Sequence, residues 1–287
     1  MKKFIAILLT LAMSASLVAC SSPKKDDASN AGKAPANKLE EIKANGYITV
    51  ALSPDFGPYE FVDLNKTGQD SVVGCEVELA KYIAEYLGVE LKIEQMEFST
   101  CQAAVSSGNV DFSVSGYAKT PDREKNMECS EFYTWGNDDE SGQGVIVLKE
   151  NKDLYKEAKD FDGKIIGAQN GSLQQNLVTA QLPANVTMEP ISAITDGVMM
   201  LLTGKIDGLA SSYDTGLQYC KNYDKLSMAP FKFEYESDGN IALVKKGEVE
   251  LVAEINKAIA KAKEEDKYVQ WIADARALCD TLGIKAE

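Results

Sequence analysis

The residues best suited to chemistry lie in one stretch of the chain, residues 111–132 (DFSVSGYAKTPDREKNMECSEF). Its first five residues alternate in polarity, which predicts a short half-buried strand that runs into Gly116. Residues 120–122 (TPD) then supply a hydroxyl cap, a proline and an acid for the first turn of a helix. Arg123 would sit on that ordered turn. Because a guanidinium offers a planar fork of donors, Arg123 beside the backbone amides after Gly116 predicts a clamp for an anion such as a carboxylate.

A second anion site is predicted from residues 160–172 (DFDGKIIGAQNGS). They indicate a strand, a glycine turn at Gly171 and a helix that begins near Ser172. The free amides and the positive dipole end of such a helix bind an anion without any side-chain charge. Two simpler interpretations stay open, namely that Arg123 is a solvated surface arginine and that Ser172 is an ordinary helix cap.

The composition excludes several functional classes. The chain has 30 lysines and arginines against 44 acidic residues, a formal charge of −14, whereas a nucleic-acid-binding protein needs a basic face. It contains no histidine, which removes histidine general acid/base chemistry and histidine zinc sites. The cysteines after Cys20 stand at irregular spacings that match neither a disulfide scaffold nor a metal site, although a Cys75–Cys101 disulfide stays open. No cofactor or metal is therefore expected.

The first 19 residues are predicted to be a signal peptide. They combine two lysines with an apolar run, and they end in the sequence LVAC at residues 17–20. LVAC resembles the lipobox of lipoproteins, which implies that Cys20 becomes the lipid-modified first residue; a signal peptide with a chance cysteine is the alternative. Residues 20–38 contain almost no large apolar residue and predict a flexible tether. The domain would then be lipid-anchored on the extracytoplasmic face of the cell membrane.

The remaining chain, roughly 250 residues, is long enough for two lobes of about 100 to 150 residues each. Residues 47–52 (YITVAL) predict a first strand, and residues 73–88 predict an amphipathic helix whose glutamates face solvent. The loop at residues 53–61 (SPDFGPYEF) follows that first strand. Ligands in α/β sheets bind beyond the carboxyl ends of the strands, so Phe56 in this loop fits a ligand contact as well as core packing.

These motifs together resemble the polar amino-acid-binding proteins of ABC importers, the family 3 extracellular solute-binding proteins. Residues 115–123 (SGYAKTPDR) and 129–133 (CSEFY) resemble that family's Gly, hydroxyl, Thr-Pro-Glu-Arg and Phe-Ser-x-Pro-Tyr pattern. Further matching segments are residues 74–80, 160–172 and 240–247. The resemblance implies a two-lobe type II periplasmic-binding-protein fold with a hinge of two crossing segments. Lobe 1 would comprise residues 39–138 and 234–287, lobe 2 residues 139–233, and residues 231–235 (FKFEY) would form the return crossing.

The resemblance also implies which residues hold the ligand. Arg123, Gly171 and Ser172 would bind a carboxylate. The carbonyl of Gly116 would accept a hydrogen bond from an ammonium group, and Phe56 would pack on the ligand side chain. A ligand held by both lobes would favour the closed arrangement of the hinge.

The sequence departs from the family pattern at three positions of this site. Ala118 replaces a hydroxyl residue, so only its backbone amide could serve. Ser53, with Asp55 two residues further on, stands where an acid is frequent in the first loop. Ser212 stands where the family has the acid that binds the ammonium. Asp214, two residues further on, is the candidate substitute. The full predicted ligand-binding set is Phe56, Ser115, Gly116, Ala118, Arg123, Gly171, Ser172, Ser212 and Asp214.

The expected function is that of an extracytoplasmic substrate-binding lipoprotein, and not that of an enzyme. Such a protein captures an amino acid or a close derivative as a monomer and delivers it to the membrane permease of an ABC importer. Two alternatives stay open: a sensor or adhesin ectodomain of the same fold, and a dehydratase built on this fold. The dehydratase would need a general acid in the cleft, and neither a histidine nor an evident pair of buried acids provides one in the sequence.

Overall fold

Strands and helices alternate through the residues that the computed structural model describes, which are 35–133, 142–235 and 238–283. The strands are β1 (Tyr47–Leu52), β2 (Asp55–Phe56), β3 (Glu60–Val62), β4 (Val72–Val73), β5 (Glu90–Gln95), β6 (Phe112–Ala118), β7 (Met127–Cys129), β8 (Gln143–Leu148), β9 (Ile165–Gln169), β10 (Thr187–Ile191), β11 (Gly208–Ser212), β12 (Leu226–Phe233) and β13 (Asn240–Lys245). The helices are α1 (Lys38–Asn45), α2 (Cys75–Leu87), α3 (Phe98–Ser107), α4 (Pro121–Asn126), α5 (Leu173–Gln181), α6 (Ile194–Leu202), α7 (Tyr213–Asn222), α8 (Val249–Glu264) and α9 (Lys267–Leu282).

Two five-stranded sheets divide these elements into two lobes. Lobe 1 has the strand order β5-β1-β6-β13-β7, and lobe 2 has the order β10-β9-β11-β8-β12. Strand β1 pairs in parallel with β5 and β6, and β9 pairs in parallel with β10 and β11. The returning strand β13 is antiparallel to β6. Because the chain leaves the first sheet after β7, completes the second and comes back at β13, the predicted two-lobe α/β fold is confirmed.

Several boundary predictions fall at or beyond the edge of the described residues. The signal peptide and Cys20 lie outside them, and so does the predicted lobe boundary at 138–139, because residues 134–141 are not described; residues 236–237 are also outside. The predicted tether is one residue too long, because Lys38 already begins α1, which Asn37 caps. The predicted return crossing is wrong for Phe231 and its neighbours, since β12 continues to Phe233 and Phe231 packs in the lobe 2 core.

The lobes have separate cores, and a third apolar cluster joins them. The joint cluster combines residues of β3 and β4 in lobe 1 with residues of α6, β11 and α7 in lobe 2; its members include Phe61, Val73, Ile194, Leu209, Tyr219 and Cys279. Helix α9, which lies in the segment predicted to belong to lobe 1, contributes to two clusters, with Tyr268 in the lobe 1 core and Cys279 in the joint cluster. All five described cysteines are free, so the Cys75–Cys101 disulfide is not formed. Within the described ranges, no helix is long and apolar enough to span a membrane.

A close backbone approach fixes the loop after β1 against α2. Strands β2, β3 and β4 form a small antiparallel sheet that carries this loop. The first amides of α2 bind it, because Cys75 N donates to Pro58 O (3.3 Å) and Glu76 N donates to Tyr59 O (3.0 Å). Gly74 makes this approach feasible: its φ is +133°, and a Cβ there would lie 2.2 Å from Tyr59 O.

We expect Gly74→Ala to lower the free energy of unfolding by more than about 2 kcal/mol, because backbone strain adds to a contact with a backbone oxygen that cannot rotate away. Gly46→Ala is the matched control. Gly46 also has a positive φ, +75°, but nothing lies within 4 Å of an added Cβ, so only about 1–2 kcal/mol of strain is expected. Urea unfolding of both variants measures the difference, and equal losses would contradict the close approach.

Candidate functional site

The first turn of α4 positions Arg123. Thr120 caps this helix, its hydroxyl oxygen accepting a hydrogen bond from the Arg123 amide at 3.3 Å, and Pro121 takes the first helical position. The predicted helix start is therefore confirmed. Strand β6 extends beyond its predicted end at Ser115, through Gly116 to Ala118. Helix α4 therefore begins close to the carboxyl end of this strand.

The Arg123 guanidinium bridges the two lobes. Within lobe 1, Nε donates to Gln102 Oε1 (3.2 Å) and Nη1 donates to Ala118 O (2.7 Å). Nη2 crosses to lobe 2 and donates to Gly171 O (3.1 Å). Tyr117 lies beneath the guanidinium, with its ring centroid 5.0 Å from the Arg123 Cζ. The interpretation of Arg123 as a solvated surface residue is therefore wrong.

Arg123 is a buried cation whose protein partners are neutral oxygens. It is only 4% exposed, and burial lowers the pKa of its guanidinium. In the part of the chain that the structure describes, its hydrogen-bond acceptors are an amide and two carbonyls, and no carboxylate forms an ion pair with it. A buried charge is costly unless it is compensated. The remaining N–H groups of this guanidinium therefore favour an anion between the lobes.

The lobe 2 side of this contact is the start of α5. Gly171 has a φ of +72°, and its carbonyl faces Arg123. Ser172 caps α5, its Oγ accepting from the amide of Gln175 at 3.1 Å, while its own amide donates to Gln169 O at 3.1 Å. In this arrangement Ser172 fills the capping role, and the first amides of α5 remain without helical acceptors. The structure thus places the Gly171 carbonyl opposite Arg123, with Ser172 as the next residue of the chain.

Phe56 lies directly over Gly116. Gly116 has a φ of +60°, and a Cβ there would lie 2.4 Å from Phe56 Cε1, so no side chain fits between them. Phe56 also stacks on Tyr59, with ring centroids 4.8 Å apart. The adjacent Ser115 is buried, and its hydroxyl accepts a hydrogen bond from the amide of Ser53 at 3.3 Å. Four members of the predicted set therefore lie together at the end of β6: Phe56, Ser115, Gly116 and Ala118.

Beneath Gly116 lies a pair of fully buried carboxyl groups, Glu60 and Glu76. Glu76 accepts the Gly116 amide with both oxygens, at 3.0 and 2.8 Å, and also accepts the hydroxyl of Tyr133. Glu60 Oε1 accepts the amide of Ser53 at 3.2 Å. The prediction that the glutamates of α2 face solvent is thus wrong for Glu76, and the sequence analysis also missed that two acids are buried together.

Burial raises the pKa of both carboxyl groups, and the charge of Glu76 raises that of Glu60 further. Glu60 Oε2 has no hydrogen-bond donor among the described residues. A proton on Glu60 that is donated to Glu76 satisfies this oxygen and removes the repulsion between the two groups. The pair therefore favours one shared proton, held on Glu60, to a higher pH than a lone exposed carboxyl group would.

The acid proposed to substitute at the ammonium position is engaged elsewhere. Ser212 caps α7, its Oγ accepting from the Thr215 amide at 3.4 Å. Asp214 is buried, and its Oδ2 accepts from Arg276 Nη2 (2.8 Å) and Nε (3.3 Å) on α9. For Asp214 to bind a ligand ammonium, this ion pair would have to be shared or broken.

Lobe 2 instead presents neutral polar groups around the start of α7. Ser211 Oγ, Thr215 Oγ1 and Gln218 Oε1 are buried and have no hydrogen-bond partner among the described residues. Within the same ranges no cluster of three or more Cys, Asp or Glu side chains could hold a metal ion. Around Ser212, hydroxyl and amide groups therefore stand beside a carboxylate, that of Asp214, which is paired with Arg276.

Three important residues escaped the sequence analysis. Gln102 orients Arg123 from α3, and nothing in its local pattern marks it. Glu76 could have been found, because it stands four residues before Ala80 and seven before Ile83 on the buried stripe of α2. Asp55 was noted only as a neighbour of Ser53, yet its carboxylate contacts lobe 2.

We expect Glu60→Gln to flatten the pH dependence of stability. The folded pKa of Glu60 lies above its ordinary value of 4.5, so unfolding releases a proton at any pH between these two pKa values. The free energy of unfolding therefore falls as the pH rises from 4.5 towards the folded pKa. One such proton contributes up to about 1.4 kcal/mol per pH unit, and the glutamine, which carries its own donor, lacks this slope. Urea unfolding between about pH 5 and pH 8.5 measures it.

Glu78→Gln is the control for this prediction, because Glu78 lies on the same helix but its side chain is 44% exposed. It should keep the wild-type slope. A Glu60→Gln variant that is folded yet keeps the full wild-type slope would show that Glu60 does not hold the proton.

The chain is similar over most of its length to proteins of amino acid transport. A family model described as bacterial extracellular solute-binding proteins, family 3, matches residues 48–274. The arginine-binding extracellular protein ArtP of Bacillus subtilis is 27% identical over 265 residues, which are 92% of this chain and 94% of that protein. The L-cystine-binding protein TcyA of the same species is 26% identical, again with 92% and 94% covered.

Solved structures show the same relationship. The amino acid ABC transporter substrate-binding protein AbpA from Streptococcus pneumoniae, bound to L-arginine, has a TM-score of 0.75 and 32% identity, with 82% of this chain and 97% of that chain covered. The family match runs from β1 to α9 and so includes both sheets and Arg123. The chain belongs to the family 3 bacterial extracellular solute-binding proteins.

Proposed function

We propose that this protein is the extracytoplasmic binding component of an ABC importer and that it captures an amino acid between its two lobes. The observation that carries the proposal is Arg123, a buried guanidinium that faces the other lobe with neutral oxygens as its protein partners. A ligand carboxylate is the natural complement of such a group, because a planar guanidinium binds it with charge-assisted hydrogen bonds.

The neighbouring groups suit the rest of an amino acid. The first amides of α5 would share the carboxylate with Arg123, since a helix N-terminus stabilises negative charge. The Gly116 carbonyl would accept from the ammonium, and the Phe56 ring above it would cover the ligand side chain. Ser53 and Ser212 leave two positions without the acids that the family pattern has, so the ammonium would be held by neutral acceptors. About four or five charge-assisted bonds of about 1.5–3 kcal/mol each are enough for a micromolar complex after ordering costs.

Ligand binding would act by closing the hinge. Arg123 already donates to Gly171 across the lobes, so a carboxylate that binds both Arg123 and α5 gains its full set of contacts only in the closed arrangement. Such a ligand shifts the population toward closure. The closed protein, as a monomer, would be the form that docks on a membrane permease.

The lipid anchor and the extracytoplasmic location belong to the same proposal. LVAC at residues 17–20 supports cleavage before Cys20 and its lipidation. A short tether would then keep the domain at the extracytoplasmic face of the membrane. Mass spectrometry of the protein extracted from a bacterial host would test this, because Cys20→Ala should abolish the diacylglycerol mass and release the protein from membranes.

We also propose that the protein does not turn its ligand over. A dehydratase would need a general acid beside the bound ligand, whereas the buried acid pair found here is engaged with its own lobe: Glu76 holds Gly116 and Tyr133, and Glu60 holds Ser53. Mass spectrometry of each bound ligand after prolonged incubation should recover it unchanged, and a new product would favour the enzyme.

We expect Arg123→Ala to weaken amino acid binding at least about 100-fold, because two charge-assisted hydrogen bonds are lost. The measurement is calorimetry and thermal shift on refolded full-length chain, against the twenty amino acids, L-cystine and dicarboxylates. L-Arginine and L-cystine come first because relatives are named for them. Arg123→Lys should recover little, since a lysine keeps the charge but not the fork.

Lys119→Ala is the matched control, because Lys119 is an exposed cation of the same loop. It should bind like the wild type. A folded Arg123→Ala variant with wild-type affinity would contradict the role of Arg123 in binding the carboxylate. A wild-type protein that binds no compound of the panel would contradict the proposed ligand class.

A further inference from the structure

Asp55 lies in lobe 1, but its side chain is held mainly by lobe 2. Its Oδ2 accepts the amide of Ile194 at 2.5 Å and Nε2 of Gln169 at 3.1 Å. The Tyr219 hydroxyl, also from lobe 2, donates to the Asp55 carbonyl at 2.9 Å. The contact within its own lobe is Ser53 Oγ, which donates to Oδ1 at 3.0 Å. Asp55 is therefore a direct hydrogen-bonded link between the lobes.

This link completes a helix of the other lobe. Helix α6 begins after Ala193, whose side chain cannot accept a hydrogen bond, and its first amide belongs to Ile194. The Asp55 carboxylate takes the place of the missing cap from across the interface. Gln169 strengthens the arrangement, because its Nε2 also donates to the carbonyl of Ser192, just before α6.

Separation of the lobes would change the surroundings of Asp55 more than those of the other buried acids. Its Oδ2 would lose both protein donors and enter water, while α6 would lose its cap. Glu60 and Glu76, by contrast, have their partners within lobe 1. Asp214 pairs with Arg276, which compensates its charge. Asp55 has no such cation in the described part of the chain.

The groups that face Asp55 leave its charge uncompensated. Tyr219 on α7 and Cys101 on α3 lie near it, and burial raises the pKa of both, so they stay neutral around neutral pH. Asp196 in the first turn of α6 is exposed and carries the same charge. Burial of the carboxyl group raises the pKa of Asp55 from 3.8 to about 6, although its hydrogen bonds act in the opposite direction.

We propose that Asp55 is a proton-dependent latch between the lobes, which binds a proton when the lobes close and releases it when they open. The capping contact holds the closed arrangement, and the uncompensated negative charge works against it. A proton on Oδ1 can be donated to Ser53 Oγ while Oδ2 keeps its contacts with α6 and Gln169. The protonated carboxyl group therefore stabilises the closed arrangement more than the ionised one does. The proposed function requires closure of these lobes, but the contacts of the latch are made by the two lobes alone and need no ligand.

The direction of the pH dependence follows from linkage. The closed arrangement has the higher pKa, about 6, against the ordinary 3.8 of an exposed carboxyl. A fall in pH from about 7 to about 5 should therefore raise the ratio of closed to open protein about tenfold. An asparagine at this position caps a helix as well as aspartate does and carries no charge. Asp55→Asn should therefore be more closed than the wild type at pH 7 and should not respond to pH.

Energy transfer between dyes on opposite lobes measures this ratio without any added ligand, so it is independent of the proposed function. The dyes are attached through unnatural amino acids at exposed Lys81 in lobe 1 and Lys159 in lobe 2 of the full-length chain. Asp63→Asn is the matched control, because Asp63 is a buried lobe 1 acid that bonds within its own loop. It should keep the wild-type response.

A wild-type ratio that does not change with pH, or an Asp55→Asn variant that keeps the wild-type response, would overturn the latch. Should Asp55→Asn not fold, the carboxyl carbon shift of Asp55 in the wild-type protein gives a second test by NMR. Titration near pH 6 in the closed protein is the expected result, and a midpoint near 4 would overturn the proposal as well.

Discussion

The structure depends on one buried positive charge. Arg123 is removed from water by both lobes, and the protein surrounds it with the amide oxygen of Gln102 and the carbonyls of Ala118 and Gly171. These dipoles orient the guanidinium but do not neutralise it. Because one of the three comes from lobe 2, the same set of hydrogen bonds orients Arg123 and joins the lobes. Under the proposed function, ligand binding and closure would therefore be coupled through Arg123 itself.

The buried acids near this site form hydrogen bonds with other protein groups. Glu76 shapes the Gly116 turn, Asp55 links the lobes and Asp214 fixes α9 through Arg276. Asp55 and Asp214 each stand two residues after a position where the family pattern has an acid, namely Ser53 and Ser212. In a chain with a net charge of −14, buried carboxylates near the cleft would attract cations unless they are protonated or hydrogen-bonded. Hydrogen bonds engage all three of these carboxyl groups, whereas Arg123 lies between the lobes with neutral oxygens as its protein partners.

Local signals in the sequence predicted what local forces determine. The Thr120 and Pro121 helix start, the capping Ser172 and the strand β1 follow from residues that are neighbours along the chain, and each is confirmed. The similarity of several motifs to one family then predicted the two-lobe fold, because these motifs follow one another along this chain in the order that the family has. The end of β6 was placed too early, because Gly116 normally breaks a strand, whereas here β13 pairs with β6 on both sides of it.

What the sequence could not reveal depends on residues far apart in the chain. Gln102 and Arg123 are joined only when α3 packs beside β6, and Asp55 meets Ile194 only when the lobes touch. The burial of Glu76 was masked by the general rule that glutamates face solvent, although its spacing on α2 placed it on the apolar stripe. Whether a polar residue holds a ligand or another residue is decided by such distant partners.

A crystal structure of the full-length chain with its bound amino acid tests the central claim most directly. The account predicts both carboxylate oxygens within about 3 Å of the Arg123 guanidinium or the first amides of α5, with the ligand side chain against Phe56. A carboxylate held elsewhere, with Arg123 bonded only to Gln102, Ala118 and Gly171, would contradict it.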